Sequence, residues 1–230
     1  MPVPYYVSPE QLMRDKSDYA RKGIARGKSV LALEYTDGIL FMAENPSATL
    51  YKISEIYDRI AFAGVGKFSE FEQLRIGGIR LVDLKGYSYS RDDVTAKSLA
   101  NAYSQTLSNI FTAELKPYEC EILVGSVGET TERNELFHIL YDGSVTDRTG
   151  WVGMGGQAEE LSNQLRDKYP GDYPGGVPGL RDAVRMGHDA LRAAEDRELT
   201  AEGLEVAVLD RARGRRKFAR LRGAALSQLL

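Results

Sequence analysis

The chain has 230 residues, 43% hydrophobic and 27% charged, which suits one large globular domain with a substantial core or two small ones. It contains no run of about 18 apolar residues, so no membrane span is expected, and residues 1–7 lack the basic and apolar regions of a signal peptide. A formal net charge of −3 gives no global pull on nucleic acid, and the single cysteine, Cys120, fits a reducing cytoplasm.

Ser8 suits the cap of a first helix, Pro9 its first position, and Gln11 completes a capping-box spacing. Leu12, Met13, Lys16, Tyr19, Ala20 and Ile24 then fall on one helical stripe that needs a surface to pack against. Two strands, 29–35 and 39–43, flank Thr36-Asp37-Gly38, a hairpin signal. A second pair is expected at 49–54 and 59–64, around Glu55-Ile56-Tyr57-Asp58. The period turns helical over 68–83, with Phe68, Phe71, Leu74 and Leu81 apolar. Gly77-Gly78 within it costs about 1 kcal/mol per glycine relative to alanine, unless close packing requires them. Residues 92–115 read as a long helix with Val94, Leu99, Ala102, Leu107 and Ile110 spaced for burial, and Pro117 marks its end.

Strands return at 121–127 and 135–141, followed by the tight turn Asp142-Gly143, and a short strand at 151–154 runs into Gly155-Gly156. Helices at 157–169 and 180–194 are joined by a Pro/Gly-rich loop. A last strand pair, 204–209 and 217–221, precedes a short helix over 224–230. Hairpin-linked strands imply antiparallel sheets. Helix pairs between the strand groups imply two sheets packed face to face with helices outside, an α+β four-layer αββα sandwich. We read one domain over 28–230, preceded by a separate N-terminal segment and helix over 1–27.

Few motifs carry chemistry. The stretch from Gly23 to Ser29 fails as a phosphate loop, because three residues rather than four separate its glycines and it follows a helix and opens a strand. Met154-Gly155-Gly156-Gln157 reads as a tight strand-to-helix connection rather than an anion site. His138 and His188 stand in no metal-ligand spacing, so neither metal nor cofactor is expected, and Cys120 reads as an inert thiol. Asp92-Asp93 and Glu159-Glu160 sit at expected helix starts, where they match the dipole. The basic run Arg211, Arg213, Arg215, Arg216, Lys217, Arg220 and Arg222 reads as a solvated hairpin end, with an adaptor for an acidic partner as the alternative. It lacks interleaved aromatics, which argues against single-stranded nucleic acid.

Ser8-Pro9-Glu10, Tyr19-Ala20-Arg21 and Gly27 before the first strand resemble the N-terminal region of proteasome α subunits. Lys116-Pro117-Tyr118 resembles the Arg-Pro-Tyr element after that family's second long helix, and residues 47–54 resemble its lysine-bearing third strand, with Lys52 as the lysine. Residues 43–47, Tyr57-Asp58-Arg59 and residues 205–210 are similar to actinobacterial α subunits. The resemblance covers essentially the whole chain. It implies the N-terminal-nucleophile form of the αββα fold and a non-catalytic subunit of a bacterial 20S proteasome. The implied partners are six further copies in a homo-heptameric α ring, proteasome β subunits, protein substrates in transit, and a hexameric AAA ATPase activator docked by its C-terminal carboxylate. The implied sites are Lys52 for the activator, the gate segment Pro2, Val3, Pro4, Tyr5, Tyr6 and Val7, and a ring-contact helix with Pro9, Leu12, Met13 and Tyr19.

Catalytic members of that family expose an N-terminal threonine by cutting a Gly-Thr bond; its hydroxyl attacks and its α-amine is the base. This chain has no Gly-Thr dipeptide, and Lys28-Ser29 stands about where the threonine would be. The family's catalytic aspartate falls near Glu44, and the loop that carries the catalytic lysine shortens to 45–50, without a lysine. The alternative reading, an active β-type N-terminal-nucleophile hydrolase, therefore lacks an attacking group. Two departures stand out: the N-terminal Tyr-Asp-Arg of archaeal and eukaryotic α subunits is missing, and Glu119 replaces the glycine after Pro-Tyr.

Overall fold

Alternation along the strands sets the layering. The computed structural model describes residues 8–169 and 176–230. Its strands form two five-stranded sheets in which every pairing is antiparallel. The first has β1 (Val30–Tyr35), β2 (Gly38–Glu44), β8 (Trp151–Met154), β9 (Leu204–Asp210) and β10 (Phe218–Leu221), in the order β10-β9-β2-β1-β8. The second has β3 (Ile53–Tyr57), β4 (Ile60–Gly66), β5 (Cys120–Ser126), β6 (Glu135–Ile139) and β7 (Val145–Arg148), in sequence order.

Successive strand residues point to opposite faces. Val30, Ala32, Ile39, Phe41, Ala43, Ala207 and Leu209 of the first sheet meet Ile53, Ala61, Ala63, Val65 and Leu123 of the second between the layers. Leu31, Leu33, Leu40, Met42, Val206 and Val208 point the other way, onto α4 (Ala158–Lys168) and α5 (Leu180–Glu195). Phe62, Ile122, Val124 and Ile139 of the second sheet pack on α2 (Phe68–Ser88) and α3 (Ala96–Ala113). The expected αββα sandwich is present, closed by α6 (Ala224–Ser227). Both faces of β1, β2 and β9 are buried, so these strands read as continuous apolar runs rather than alternating ones. No helix among the described residues is long and apolar enough to cross a membrane.

Several boundaries differ from the expectations, each for a local reason. β7 was not expected: its sequence, Val-Thr-Asp-Arg, is an exposed edge strand whose signal is only the Asp142-Gly143 turn before it. The second strand pair is shifted. Asn45 Oδ1 accepts the Ser47 amide, and Ser47 Oγ accepts the amides of Thr49 and Leu50, so side chains take the donors a strand ladder would use. Pairing starts at Ile53, runs through a bulge between Glu55 and Tyr57, and turns at Asp58-Arg59. Lys52 thus lies just ahead of the third strand, although its carbonyl still accepts the Gly64 amide at 3.0 Å.

α3 starts at Ala96 rather than 92, because Thr95 is the cap and its hydroxyl accepts the Ser98 amide. Asp92 and Asp93 lie in a separate 3-10 turn and do not cap it. The buried stripe of α3 runs through Leu99, Ala100, Tyr103, Leu107 and Phe111, leaving Ala102 and Ile110 at its margin. In α2 the buried stripe is Phe71, Leu74, Gly78 and Val82, and the expected Leu81 is exposed.

The two glycines of α2 are not equivalent. A Cβ on Gly78 would sit 1.8 Å from the hydroxyl of Tyr103, a buried ring packed edge-on against Phe62, while a Cβ on Gly77 meets nothing within 4 Å. Gly78 therefore sets the approach of α2 to α3, and Gly77 only lowers helix propensity. We expect Gly78→Ala to lose about 1–3 kcal/mol from overpacking and Gly77→Ala to gain about 0.5–1 kcal/mol. Thermal unfolding of the purified chain checks both, and equal midpoints for the two variants would contradict this packing.

Candidate functional site

α1 (Pro9–Ile24) leads into the site. Ser8 Oγ accepts the Gln11 amide, but the Gln11 side chain turns to Asp15, so only half of the capping box forms. The stripe expected to be buried splits. Lys16, Ala20 and Ile24 face inward, and the Lys16 ammonium donates to the carbonyls of Phe111 and Glu114 at 2.9 and 2.7 Å, closing the C-terminal end of α3. Leu12 and Tyr19 are 44% and 48% exposed and line a shallow groove with Leu115 and Pro117, while Met13 packs partly buried against the inter-sheet core. Pro9 is exposed at the helix start. The expected gate residues, Pro2 to Val7, lie outside the described residues.

The glycines after α1 serve contact, not phosphate binding. Gly23 lies against the Glu119 side chain, and a Cβ on Gly27 would crowd the Gly66 amide at 2.9 Å. Glu119, the residue that departs from the family pattern, accepts from Lys116 at 2.8 Å and from the Tyr19 hydroxyl at 3.3 Å, tying β5 to α1.

Ser29 then enters β1 completely buried. Its hydroxyl donates to Glu195 Oε1 at 2.8 Å, and its backbone nitrogen is an amide that points to the same oxygen at 3.4 Å. Glu195 closes α5, and Asp196 turns the chain in the left-handed conformation (φ 49°), which aspartate tolerates. That turn brings Arg197 back onto Glu44 and Glu195, and Lys28 sits 3.7 and 3.8 Å from the same two carboxylates. Burial alone would raise the Glu195 carboxyl; the Ser29 hydrogen bonds and the charges of Lys28 and Arg197 outweigh it and hold it below the usual range.

Lys52 completes the cluster. Its ammonium donates to the Lys28 carbonyl at 2.8 Å, while no carboxylate among the described residues lies within the 4.0 Å of an ion pair. Burial pushes its proton affinity down from 10.5 to about 8, against the upward pull of Glu44, Glu205 and Glu195. The cluster offers a half-buried, incompletely partnered cation beside neutralised carboxylates. Such a group suits an incoming anion.

Glu195, Arg197 and Glu205 were not expected to take part. Only Glu205 leaves a trace in the sequence, as a carboxylate in the apolar run 204–209. The other candidates resolve into structural roles. His138 pairs with Glu121 at 2.8 Å, His188 meets the Leu199 carbonyl, and the buried Cys120 thiol is pushed up by burial. The basic run divides: Arg211, Lys217 and Arg220 are half-buried and engaged by Asn134, the Arg213 carbonyl and Glu205, while Arg213, Arg215, Arg216 and Arg222 stay exposed around the hairpin end as expected, Arg216 pairing with Glu55.

A family model described as "Proteasome subunit" matches residues 24–209. Among curated relatives, "Proteasome subunit alpha" of Geodermatophilus obscurus is 55% identical over 239 residues, covering 100% of this chain and 82% of the relative. Proteins of the same name from Acidothermus cellulolyticus and Frankia alni are 54% and 53% identical, each covering 100% of this chain and 98% and 97% of the relative.

The lowered proton affinity of Lys52 is directly measurable. Competitive acylation with trace acetic anhydride across pH 6–11 should give Lys52 a reactivity midpoint near pH 8, whereas a freely exposed lysine titrates at about 10.4. A Lys52 midpoint matching the exposed lysines would contradict the desolvated site.

Proposed function

This chain belongs to the proteasome subunit family, among its α-type members, and from that premise we propose that it is the non-catalytic, gating and activator-docking subunit of the particle. Seven copies form a ring, one ring caps each end of the β rings in the cytoplasm, and protein substrates pass through its axis to the β chambers.

The observation that carries the non-catalytic part is the condition of Ser29. An N-terminal nucleophile needs a free α-amine beside its hydroxyl. Here the nitrogen of Ser29 is an amide, the preceding carbonyl is held by Lys52, and the hydroxyl is spent on a carboxylate in a fully buried position. A substrate carbonyl has no route to this buried oxygen, and no free α-amine stands beside it as the base. The β-type alternative therefore has no support at the position it requires.

Docking rests on Lys52. An activator that ends in a carboxylate brings to this half-buried ammonium the charge it lacks, in a charge-assisted hydrogen bond. At a partly desolvated site such a contact is screened less by salt than a surface ion pair. Ring contact rests on the outward face of α1, where Leu12 and Tyr19 stay exposed in the single chain. The gate is proposed from the sequence of residues 2–7, whose prolines and tyrosines suit a short apolar plug at the ring axis.

Two outcomes follow. Lys52→Ala should weaken activator binding by about 1.5–3 kcal/mol per site, amplified across the ring by avidity, with short-peptide turnover by the particle retained. Titration of activator at two salt concentrations measures this, and equal affinities for variant and wild type would refute docking at Lys52. Deleting residues 2–7 should raise peptide and unfolded-protein turnover without altering the β sites; unchanged turnover in a correctly assembled deletion particle would refute the plug.

A further inference from the structure

The Lys52 ammonium is placed by its backbone, and one buried side chain controls that backbone. Glu205, on β9, is 8% exposed, and its carboxylate takes four donors. Oε2 accepts the Asn45 side-chain amide at 2.8 Å and the Lys52 backbone amide at 2.8 Å. Oε1 accepts the Ile53 amide at 3.1 Å and Arg220 Nη1 at 2.6 Å. Arg220 in turn donates to the Ile53 carbonyl at 2.5 Å and lies over the Tyr51 ring, 4.1 Å from its centroid. Asn45 also donates to the Leu50 carbonyl at 2.7 Å.

Every residue from Leu50 to Ile53 is therefore fixed by Glu205 or by a group that Glu205 holds. Residues 50–52 precede the strand and have only the Lys52 carbonyl in the sheet ladder, so the sheet by itself does not fix them. β9, in contrast, is a rigid base, paired along its length with β2 and also with β10. We propose that Glu205 is the positioning residue of the docking site: it anchors the 45–53 segment to β9 so that the Lys52 ammonium stands at the Lys28 carbonyl with donors left for an incoming carboxylate. The inference rests on the proposal that Lys52 docks a carboxylate. Glu205 itself does not touch the ligand; it acts through the Lys52 main chain and, as a negative charge nearby, helps keep the ammonium protonated.

The geometry also dictates how substitutions differ. Glu205→Gln keeps the size but presents an NH2 group to two of the four donors, and it removes the charge. Glu205→Asp keeps the charge but withdraws it by one methylene from the amides it holds. Removing the charge lowers the proton affinity of Lys52 further, so the pH at which binding is half lost moves down; retaining it leaves that pH near the wild-type value. A role in stability alone would move neither the pH midpoint nor the discrimination between carboxylate and amide.

The test uses the full chain assembled with β subunits and a fluorescein-labelled heptapeptide, Gly-Ser-Gly-Ser-Gly-Tyr-Leu, with a free or an amidated C-terminus. Affinity is read by anisotropy from pH 6.5 to 9.5. We expect wild type to prefer the free carboxylate and to lose that preference around pH 8. Glu205→Gln should bind the free carboxylate about tenfold more weakly at pH 7 with a midpoint below the wild-type one, and Glu205→Asp should bind more weakly with the wild-type midpoint. If Glu205→Gln fails to assemble, Asn45→Ala, which removes one of the tethers between the loop and Glu205 and leaves the Lys52, Ile53 and Arg220 bonds, should lower affinity severalfold. Wild-type affinity and midpoint in the Glu205 variants, or wild-type affinity in the Asn45 variant where that one is used, together with loss of carboxylate preference in Lys52→Ala, would overturn the positioning role and leave the docking proposal intact. Retained preference in Lys52→Ala would overturn the docking proposal itself.

Discussion

The hydrogen bond from the Ser29 hydroxyl to Glu195 joins the start of β1 to the end of α5, and most of what distinguishes this end of the sandwich depends on it. Ser29 has no solvent exposure, so its polar groups need partners inside the protein. Glu195 supplies one acceptor for both hydroxyl and amide, and its own charge is met by Lys28 and Arg197. Arg197 reaches it only because Asp196 reverses the chain. A continuous main chain thus runs through the place where an N-terminal nucleophile would begin, with its donors and charges satisfied. Opening it to attack would break the charged hydrogen bonds that hold Ser29 and Glu195.

The same arrangement leaves Lys52 as the cation we propose for docking. Lys28, Lys52 and Arg197 surround Glu44 and Glu195, and the ion pairs go to Lys28 and Arg197. Lys52 is left with a carbonyl. Desolvation without a close counter-charge lowers its proton affinity, and a carboxylate that arrives there reverses the effect. In the proposed docking, binding and protonation are therefore linked, and recognition weakens as pH rises through the Lys52 titration. Structure, charge and proposed function meet in the same few residues around the entry to β1.

Much of this was legible in the sequence. Helix and strand order followed from periodicity and from Asp-Gly turns, because the pairs β1–β2 and β3–β4 are local hairpins with tight turns. Boundaries failed where side chains replaced backbone partners: Asn45 and Ser47 delayed β3, and Thr95 delayed α3. Lys52 was found through its resemblance to a family strand, not through any pattern of charge. Glu195 and Arg197 were invisible because their partners, Ser29 and Glu44, lie more than 150 residues away in the chain, and only the folded sandwich brings them together. Glu205 left a faint mark as a carboxylate in a buried strand, a place that demands donors. The half-buried part of the basic run was not legible, because Arg211 and Arg220, which hold Asn134 and Glu205, look the same in sequence as the exposed Arg213 and Arg215.

We propose that this chain carries no reactive nucleophile and that its partner β subunits carry one. The most direct measurement is to assemble the chain with β subunits, treat the particle with a covalent threonine-directed inhibitor, and weigh each subunit by intact mass spectrometry. The adduct is expected on the β subunits, and the unmodified mass on this chain. A stoichiometric adduct on this chain, at Ser29 or elsewhere, would contradict it.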